Sequence, residues 1–267
     1  MIRMAARLLR LRLSLMNGIA ALGGGLLLPG PRSAATLLAA CGGVTLLAMG
    51  ASALNQVLER RLDSLMNRTM DRPLPRGEMT PPAAVCIGIG VILTGCATLL
   101  TVGGALPVLL GLTCLVWYLG VYTPLKRRTP LALPLGALCG AVPPVIGWCL
   151  AGGDPLDFRI ILLAGLMYLW QVPHFWLFQQ RHAEDYRRAG IPLFRLHPGQ
   201  FGLWIMALAA AAMLLPLFGL AGRQPLVWFA LLLLPLAATW LSRSERLRFS
   251  CLNLVPLLIA LALGLPC

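Results

Sequence analysis

The sequence predicts an all-α, polytopic membrane protein with nine transmembrane helices. Of its 267 residues, 58% are hydrophobic and 12% are charged, and this charged share is about half that of an average soluble domain. The mean hydropathy is +0.81. The net charge of +13 does not indicate a nucleic-acid partner, because the basic residues lie in short clusters between long apolar stretches, as membrane topology requires.

Nine apolar segments follow one another along the chain, each near the ~20 residues that a bilayer-crossing helix needs. We place them at about residues 13–28, 34–54, 82–102, 106–121, 130–150, 158–178, 201–220, 226–241 and 249–265. The first follows a basic N-terminus but precedes no small-residue cleavage site, so we interpret it as a span and not as a signal peptide. Gly103-Gly104 is the only turn between the third and fourth spans, and Pro143-Pro144 is expected to break the fifth.

The distribution of basic residues predicts the orientation. With the N-terminus in the cytoplasm, all but three of the 22 lysines and arginines fall on the cytoplasmic side. The exceptions are Arg32, Arg159 and Arg223. A missed span would invert every later segment and scramble this bias, so the bias supports both the orientation and the span count. Two polar segments, residues 55–77 and 179–192, therefore open on the cytoplasmic face.

The first polar segment places two carboxylates and an amide on one helix face. These side chains recur at every fourth position: Asn55, Glu59 and Asp63. Oxygen ligands grouped in this way suit a divalent cation such as Mg²⁺. Because a carboxylate at the centre of a membrane helix costs roughly 2.5–3.5 kcal/mol, we expect both acids to lie at the mouth of a cavity.

Basic side chains follow the acidic face. Arg68 and Arg72 continue the four-residue step, so we expect the helix to extend to Pro73 and Pro75, which end it. A pair of guanidinium groups suits a phosphorylated ligand. Lys126, in the next cytoplasmic loop, has a simpler explanation as a positive cytoplasmic charge. The alternative for the first polar segment is a loop whose acids only pair with neighbouring arginines.

A second polar stripe begins inside the sixth span and ends in the second polar segment. Its members lie three or four residues apart, on one face of a single predicted helix: Gln171, His174, Phe178, Arg181 and Asp185. Lipid cannot satisfy such side chains, so the stripe must face the bundle interior. His174 is as much a candidate ligand as a hydrogen-bonded packing residue. Asp185 is either a site residue or an ion-pair partner of Arg181 or Arg188, and Tyr186 is either an interfacial anchor or a site residue.

Two further residue types have structural explanations. Gly136 and Gly140, four residues apart in the fifth span, allow another helix to approach closely. The eight cysteines lie scattered in apolar stretches without a C-x-x-C pair. We therefore interpret them as small buried hydrophobic residues and not as disulfides or zinc ligands.

Three ordered motifs make the chain similar to a known family. They are NxxxExxxDxxMxRTxxRPLPxG over residues 55–77, YTPLKRRTPLALPLGALCGAVPPVIGW over 122–148 and LWQVPHFWLFQQRHAEDYRRAGIPL over 169–193. Together they resemble the UbiA superfamily of intramembrane prenyltransferases, and more narrowly its branch of protohaem IX farnesyltransferases (haem O synthases). The resemblance extends over essentially the whole chain and includes Phe249-Ser250, which opens the last span.

The resemblance implies a single transmembrane domain, residues 1–267, in which nine helices surround a central cavity under cytoplasmic caps. It implies transfer of the farnesyl group of farnesyl diphosphate to haem b, with Mg²⁺ as cofactor. The implied location is the bacterial cytoplasmic (inner) membrane, where lipid surrounds the protein. A haem A synthase or a terminal oxidase is the implied assembly partner, and nucleic acid is not expected as a partner.

The same resemblance implies roles residue by residue. Catalytic and metal-binding roles fall on Asn55, Glu59, Asp63 and Asp185. Substrate-binding roles fall on Arg68, Arg72, Tyr122, Lys126, Gln171, His174 and Arg181. One departure from the family pattern is that Arg181, and not a second aspartate, precedes Asp185 by four residues. This departure weakens the case for a second complete metal site.

Other functions stay open at the level of the sequence. A prenyltransferase of the same type with another acceptor, such as an aromatic quinone precursor, would share most of these motifs. A transporter with charged cytoplasmic gates would also carry polar helix ends, but it gives no reason for acids and phosphate-binding bases to converge on one side. A structural membrane subunit would need no polar stripe inside the bundle.

Overall fold

The computed structural model describes residues 2–218, 220, 225–242 and 244–264. Within these ranges all regular structure is helical. The helices are α1 (Ile2–Leu8), α2 (Leu11–Leu27), α3 (Ala34–Asp63), α4 (Pro81–Gly103), α5 (Ala105–Val116), α6 (Thr123–Leu125), α7 (Ala132–Leu150), α8 (Phe158–Arg181), α9 (Ala183–Arg188), α10 (Pro198–Leu217), α11 (Pro225–Leu241) and α12 (Glu245–Gly264). A π-helical segment, Trp117–Tyr122, joins α5 to α6, so that Ala105–Leu125 is one continuous helix.

In the part of the chain that the structure describes, six helices are long and apolar enough to cross a membrane: Ala34–Asp63, Pro81–Gly103, Ala105–Leu125, Ala132–Leu150, Phe158–Arg181 and Pro198–Leu217. The prediction of an all-helical integral membrane protein is thereby confirmed. Two shorter apolar helices, Leu11–Leu27 and Val227–Leu241, coincide with further predicted spans, and α12 coincides with the last. The count of nine transmembrane helices stays a prediction. Arg223, Arg243 and Leu265, on which that count partly depends, lie outside the described residues.

Helix α7 connects the two largest apolar clusters of the described residues. In one cluster, Ile146 of α7 packs with α2, α3 and α4, around Ala40 and Leu99. In the other, Trp148 of α7 packs with α8, α10, α11 and α12, around Leu208. Helix α7 contacts α2, α3, α5 and α8 directly. The helices that carry the predicted polar side chains are therefore grouped around α7.

The predicted break at Pro143-Pro144 is wrong, because α7 continues through both prolines. Pro143 lacks the N–H group that would bond to the carbonyl oxygen of Cys139. Instead, Cys114 of α5 donates its thiol hydrogen to that oxygen, with a sulfur–oxygen distance of 3.4 Å. A neighbouring helix therefore satisfies the carbonyl that the proline frees, as is common in membrane helices.

The predicted two-residue turn between the third and fourth spans is confirmed. Helix α4 ends at Gly103, and Gly104 adopts a φ of 72° before α5 begins. This left-handed conformation favours glycine, because a Cβ would clash with the backbone. The short turn makes α4 and α5 direct neighbours.

The cysteines within the described ranges are free thiols, as predicted. Cys149 is buried, but Cys86 is exposed on α4, which differs from the expectation of burial. The difference has a simple cause, since an apolar side chain on a membrane helix can face lipid as readily as a protein core. Cys267 lies outside the described residues.

Candidate active site

The acidic face predicted on α3 is present. Asn55, Glu59 and Asp63 lie in the last three turns of this 30-residue helix and are 3%, 4% and 4% exposed. All three line one cavity of about 390 Å³. Two carboxylates and an amide on one helix face thus converge on an internal space.

Each carboxylate is paired with a cation that lies outside α3. Lys126 Nζ lies 2.6 Å from Glu59 Oε2, and Arg72 Nη1 lies 2.6 Å from Asp63 Oδ2. The pairs compensate charges that would otherwise be costly to bury. They also bring two cations, of a kind that suits a phosphate group, to the acidic face. One of these cations, Lys126, comes from the turn after α6, so the acids do more than pair with neighbouring arginines.

The helix does not extend to Pro73 as predicted. Helix α3 ends at Asp63, and residues 64–80 form a series of turns. Thr69 Oγ1 donates a hydrogen bond of 2.9 Å to the carbonyl oxygen of Asp63, one of the acceptors that a helix end leaves without an intrahelical partner. The chain therefore folds back over the end of α3. This fold brings Arg72 onto Asp63, which a continued helix would have placed several turns away.

The second polar stripe is divided between two helices and is not carried by a single one as predicted. Helix α8 ends at Arg181, His182 leaves the helical conformation (φ −116°, ψ 25°) and α9 begins at Ala183. The guanidinium of Arg181 lies 5.7 Å from the ring centroid of Phe249. The break redirects Asp185 toward the turns that follow α3.

Asp185 binds the backbone of residues 64–80. Its carboxylate accepts hydrogen bonds from the N–H groups of Asn67, at 2.9 Å, and Arg68, at 3.2 Å. Burial alone would raise the pKa of Asp185, but these two N–H groups and the guanidinium of Arg188 lower it below its ordinary value. The carboxylate thus positions Arg68, whose side chain lines the cavity.

We expect Asp185→Ala to destabilise the protein by about 2 kcal/mol, because two N–H groups lose a charged acceptor. A lowered pKa means that this contribution is complete above the ordinary value of 3.8 and is lost as the pH falls through the lower folded-state value. Thermal unfolding in detergent at several pH values measures the effect. Glu184→Ala is the control, since the side chain of Glu184 is 71% exposed. Equal melting temperatures for the two variants would contradict the prediction.

The cavity brings most of the predicted site residues together. Those that line it are Asn55, Glu59, Asp63, Arg68, Arg72, Tyr122, Lys126, Gln171 and His174. Arg181 and Asp185 do not line it. The first polar segment and the stripe on α8 therefore open onto one shared space, while the roles assigned to the individual residues stay predictions.

Two glycines of α7 admit two of these side chains. A Cβ on Gly136 would lie 2.4 Å from the Tyr122 ring, and a Cβ on Gly140 would lie 1.6 Å from Gln171 Nε2. The glycine pair was predicted to let another helix approach closely; at both positions the space is occupied by a side chain from a neighbouring segment and not by a helix backbone. Any larger residue at either position would displace a side chain from the cavity wall.

His174 lies in an aromatic stack on the cavity wall. Its ring centroid lies 4.7 Å from that of Trp170 and 5.2 Å from that of Phe249, and both pairs are stacked. Its Nδ1 atom is buried and has no hydrogen-bond partner among the residues that the structure describes. Trp170 and Phe249 pack against His174 without lining the cavity, whereas Phe175 and Phe178 of the same helix line it. An aromatic wall with one open polar atom suits a planar, largely apolar ligand.

Arg10 and Tyr118 also line the cavity, although the sequence patterns did not single them out. Tyr118 carried a weak signal, since it precedes Tyr122 by four residues and stacks on it with the ring centroids 5.8 Å apart. In the sequence, Arg10 is only one of the basic residues that indicate the orientation of the chain in the membrane. Its position depends on the corner between α1 and α2, which no local pattern indicates. Tyr186 lines the cavity as well, in agreement with the site alternative considered for it.

The donor set on α3 fits Mg²⁺. Glu59 Oε1 is buried and has no hydrogen-bond partner within the described ranges. Asn55 Nδ2 donates to Thr123 Oγ1 at 3.1 Å, which fixes the orientation of the amide. In the described part of the chain no three His, Cys, Asp or Glu side chains form a complete metal site. Mg²⁺ usually takes one or two carboxylates and fills its remaining positions with water and substrate phosphate, so these residues suit a metal that is bound together with a diphosphate.

The sequence matches a known family and a curated relative over most of its length. Residues 17–250 match the UbiA prenyltransferase family. The chain is 58% identical, over 265 residues, to the protoheme IX farnesyltransferase of Geobacter sulfurreducens, and the match covers 96% of each chain.

The fold is similar to solved membrane-enzyme structures. The structure of a digeranylgeranylglyceryl phosphate synthase superposes with a TM-score of 0.75 at 12% identity, covering 98% of this chain and 95% of that one. A UbiA homologue from Archaeoglobus fulgidus, bound to DMAPP and Mg²⁺, superposes with a TM-score of 0.65 at 16% identity, covering 97% of each chain. At these identities the likeness concerns the fold alone.

Proposed function

This chain belongs to the UbiA prenyltransferase family, and we propose that it acts within that family as a protohaem IX farnesyltransferase. It converts haem b, farnesyl diphosphate and water to haem O and diphosphate. The observation that carries this proposal is the convergence of two acids, three phosphate-binding cations and an aromatic wall on one cavity. The name of the Geobacter sulfurreducens relative supports haem b as the acceptor.

We assign the diphosphate group to the end of the cavity where α3 meets residues 64–80. Asn55, Glu59 and Asp63 would hold Mg²⁺ there, and bound Mg²⁺ would supply charge neutralisation to the departing diphosphate. Arg68 forms no ion pair within the described residues, so its guanidinium is free to bind phosphate oxygens. Lys126 and Arg72, now paired with Glu59 and Asp63, would also be available to phosphate oxygens if those carboxylates bound Mg²⁺. A metal role for Asp185 stays a prediction.

The remainder of the cavity suits the allylic farnesyl cation that forms when the diphosphate leaves. Its apolar lining excludes bulk water, and the stacked rings of Tyr118 and Tyr122 present aromatic surface that stabilises positive charge. The vinyl group of haem b then supplies the electron pair for the new carbon–carbon bond. Water adds to the resulting cation and releases a proton, which completes the hydroxyethylfarnesyl side chain.

We assign haem b to the wall that α8 contributes. Gln171 and His174 lie one turn apart on that wall, and each has a buried polar atom without a partner among the described residues, Oε1 and Nδ1 respectively. Phe175 and Phe178 of α8 also line the cavity and supply aromatic surface beside His174. Two open polar atoms on an aromatic wall suit a planar macrocycle with polar edges. A substrate-binding role for Arg181, which lies outside the cavity, stays a prediction.

We expect His174→Ala to raise the KM for haem b about tenfold, because one stacked ring is worth roughly 1 kcal/mol and its nitrogen is also lost. The KM for farnesyl diphosphate should stay within about twofold, since His174 belongs to α8 and the acidic face to α3. Steady-state kinetics with each substrate varied in turn measures this, and His182→Ala provides a histidine control outside the cavity. An equal increase in both KM values would mean that His174 only supports the fold.

We further infer the topology and surroundings of the enzyme. The chain forms one domain over residues 1–267, with nine transmembrane helices in the bacterial inner membrane. Its N-terminus and the mouth of the cavity lie on the cytoplasmic side, which the distribution of lysine and arginine supports. A haem A synthase or a terminal oxidase would receive the product, so we propose one of them as the assembly partner.

The proposal is tested by incubating the purified protein with haem b, farnesyl diphosphate and Mg²⁺, with the product identified by mass. We expect haem O in the presence of Mg²⁺ and none after chelation. A parallel reaction with an aromatic quinone precursor tests the other acceptor class. A prenylated aromatic product without farnesylated haem would favour that class. Solute flux into vesicles without diphosphate release would favour a transporter.

A further inference from the structure

Arg10 enters the cavity from the corner between α1 and α2. Among the described residues it is the one non-glycine residue with a positive φ (φ 46°, ψ 50°). A non-glycine residue in the left-handed region costs about 1 kcal/mol or more. Such strain persists only where the surrounding structure enforces it, and it is concentrated at functional sites.

The corner is held from both sides by buried contacts. Leu8 is 0% exposed and packs against α3 and α4. Gln56 Nε2 donates hydrogen bonds to the carbonyl oxygens of Leu8, at 2.6 Å, and Arg7, at 3.1 Å. On the other side, Ser14 Oγ donates to the carbonyl oxygen of Leu9 at 2.9 Å. The backbone before and after Arg10 is therefore pinned, and the strained conformation directs its side chain to the cavity wall.

The guanidinium of Arg10 lines the cavity close to the charges of Arg68, Arg72 and Asp63. Within the described ranges it forms no hydrogen bond and no ion pair, whereas Arg72 is paired with Asp63. Burial lowers the pKa of Arg10, and the nearby guanidinium groups of Arg72 and Arg68 lower it further, whereas Tyr118 and the carboxylate of Asp63 raise it in part. A guanidinium nevertheless stays protonated in a protein. Lys126 is paired with Glu59, so Arg10 and Arg68 leave the cavity with an excess of positive charge that a polyanion would compensate.

We propose that Arg10 is a further substrate-binding residue, which contacts the diphosphate group of the prenyl donor together with Arg68. This inference depends on the proposed function, because it concerns the same anion. Its guanidinium binds phosphate oxygens by charge-assisted hydrogen bonds. The N-terminal helix α1 thereby becomes part of the site, since its packing sets the conformation of Arg10.

The test uses Arg10→Gly in the full-length protein, with inorganic pyrophosphate and Mg²⁺ as the probe. Glycine adopts the left-handed conformation without strain, so the variant removes the side chain and keeps the backbone. Titration calorimetry in detergent should show pyrophosphate affinity weakened about tenfold to a hundredfold, the loss expected for charge-assisted hydrogen bonds. The melting temperature without pyrophosphate should be unchanged or higher. Arg12→Gly, which removes an exposed arginine from the same segment, should bind pyrophosphate as the unaltered protein does.

Several results would overturn the inference. If Arg10→Gly binds pyrophosphate with an affinity within twofold of that of the unaltered protein, this inference is wrong but the proposed function stands. Absence of Mg²⁺-dependent pyrophosphate binding by the unaltered protein would overturn both. Arg10→Asn is the second variant, because asparagine also tolerates the left-handed region. If neither variant folds, the side chain maintains the corner itself and the proposed role is wrong.

Discussion

Asp63→Asn is expected to lower turnover of haem b by about a thousandfold or more, the loss typical of removing a principal stabiliser of developing charge. The substitution conserves the shape of the side chain but removes the negative charge that would bind Mg²⁺. It also breaks the ion pair with Arg72, which leaves that guanidinium without its partner. Both consequences fall on the diphosphate end of the cavity.

The effect is measured by product mass in the Mg²⁺-dependent assay, beside pyrophosphate titration of the same preparation. Asp71→Asn is the matched control, since its side chain is 73% exposed in the same series of turns. We expect the control to retain activity and Asp63→Asn to remain inserted and folded. Near-normal turnover by Asp63→Asn would remove the acidic face of α3 from the mechanism.

Lys126→Met is expected to reduce both stability and activity, whereas the double variant Glu59→Gln/Lys126→Met should recover stability alone. Glu59 has a 5% exposed side chain, and Lys126 Nζ is its closest cation at 2.6 Å. Removing Lys126 leaves the buried carboxylate with Arg127 Nη2, at 4.0 Å, as its remaining ion-pair partner among the described residues, and breaking a buried pair costs about 3 kcal/mol. Neutralising Glu59 as well removes that cost. Activity stays low in both variants, because both lack the phosphate-binding cation. The double variant also lacks the carboxylate that would bind the metal.

Thermal unfolding and turnover of the single and double variants form a double-mutant cycle. Arg128→Met is the control, because it removes an exposed positive charge from the same loop. A double variant as unstable as Lys126→Met would mean that the pair does not account for the loss. Recovery of turnover in the double variant would show that Lys126 only serves to neutralise Glu59.

The helices and their polar faces were predictable, because they follow from local rules. An apolar run near ~20 residues forms a helix in lipid, since no other element satisfies its backbone there. The four-residue spacing of Asn55, Glu59 and Asp63 likewise places them on one face wherever the helix packs. The structure agrees on both points. The prediction was wrong at Pro143, where Cys114 of α5 accommodates the proline.

The irregular segments were not predictable, because their conformation depends on distant partners. The four-residue step of Arg68 and Arg72 indicated a continued helix, yet the chain turns at Asp63. The N–H groups of Asn67 and Arg68 bond to Asp185, which lies 118 and 117 residues further along the chain. The same bonds explain why Asp185 faces the turns and not the cavity.

By itself, the sequence determined that this protein is a helical membrane protein. It also determined which side chains share a helix face and which family the chain resembles. All three follow from residue type and short-range spacing. Only the tertiary structure decided that Lys126 pairs with Glu59, that Asp185 binds the turns after α3 and that Arg10 reaches the cavity. The physical reason is that a helix satisfies its own backbone through bonds four residues apart, whereas a buried charge takes its partner from whichever helix packing brings within a few ångströms.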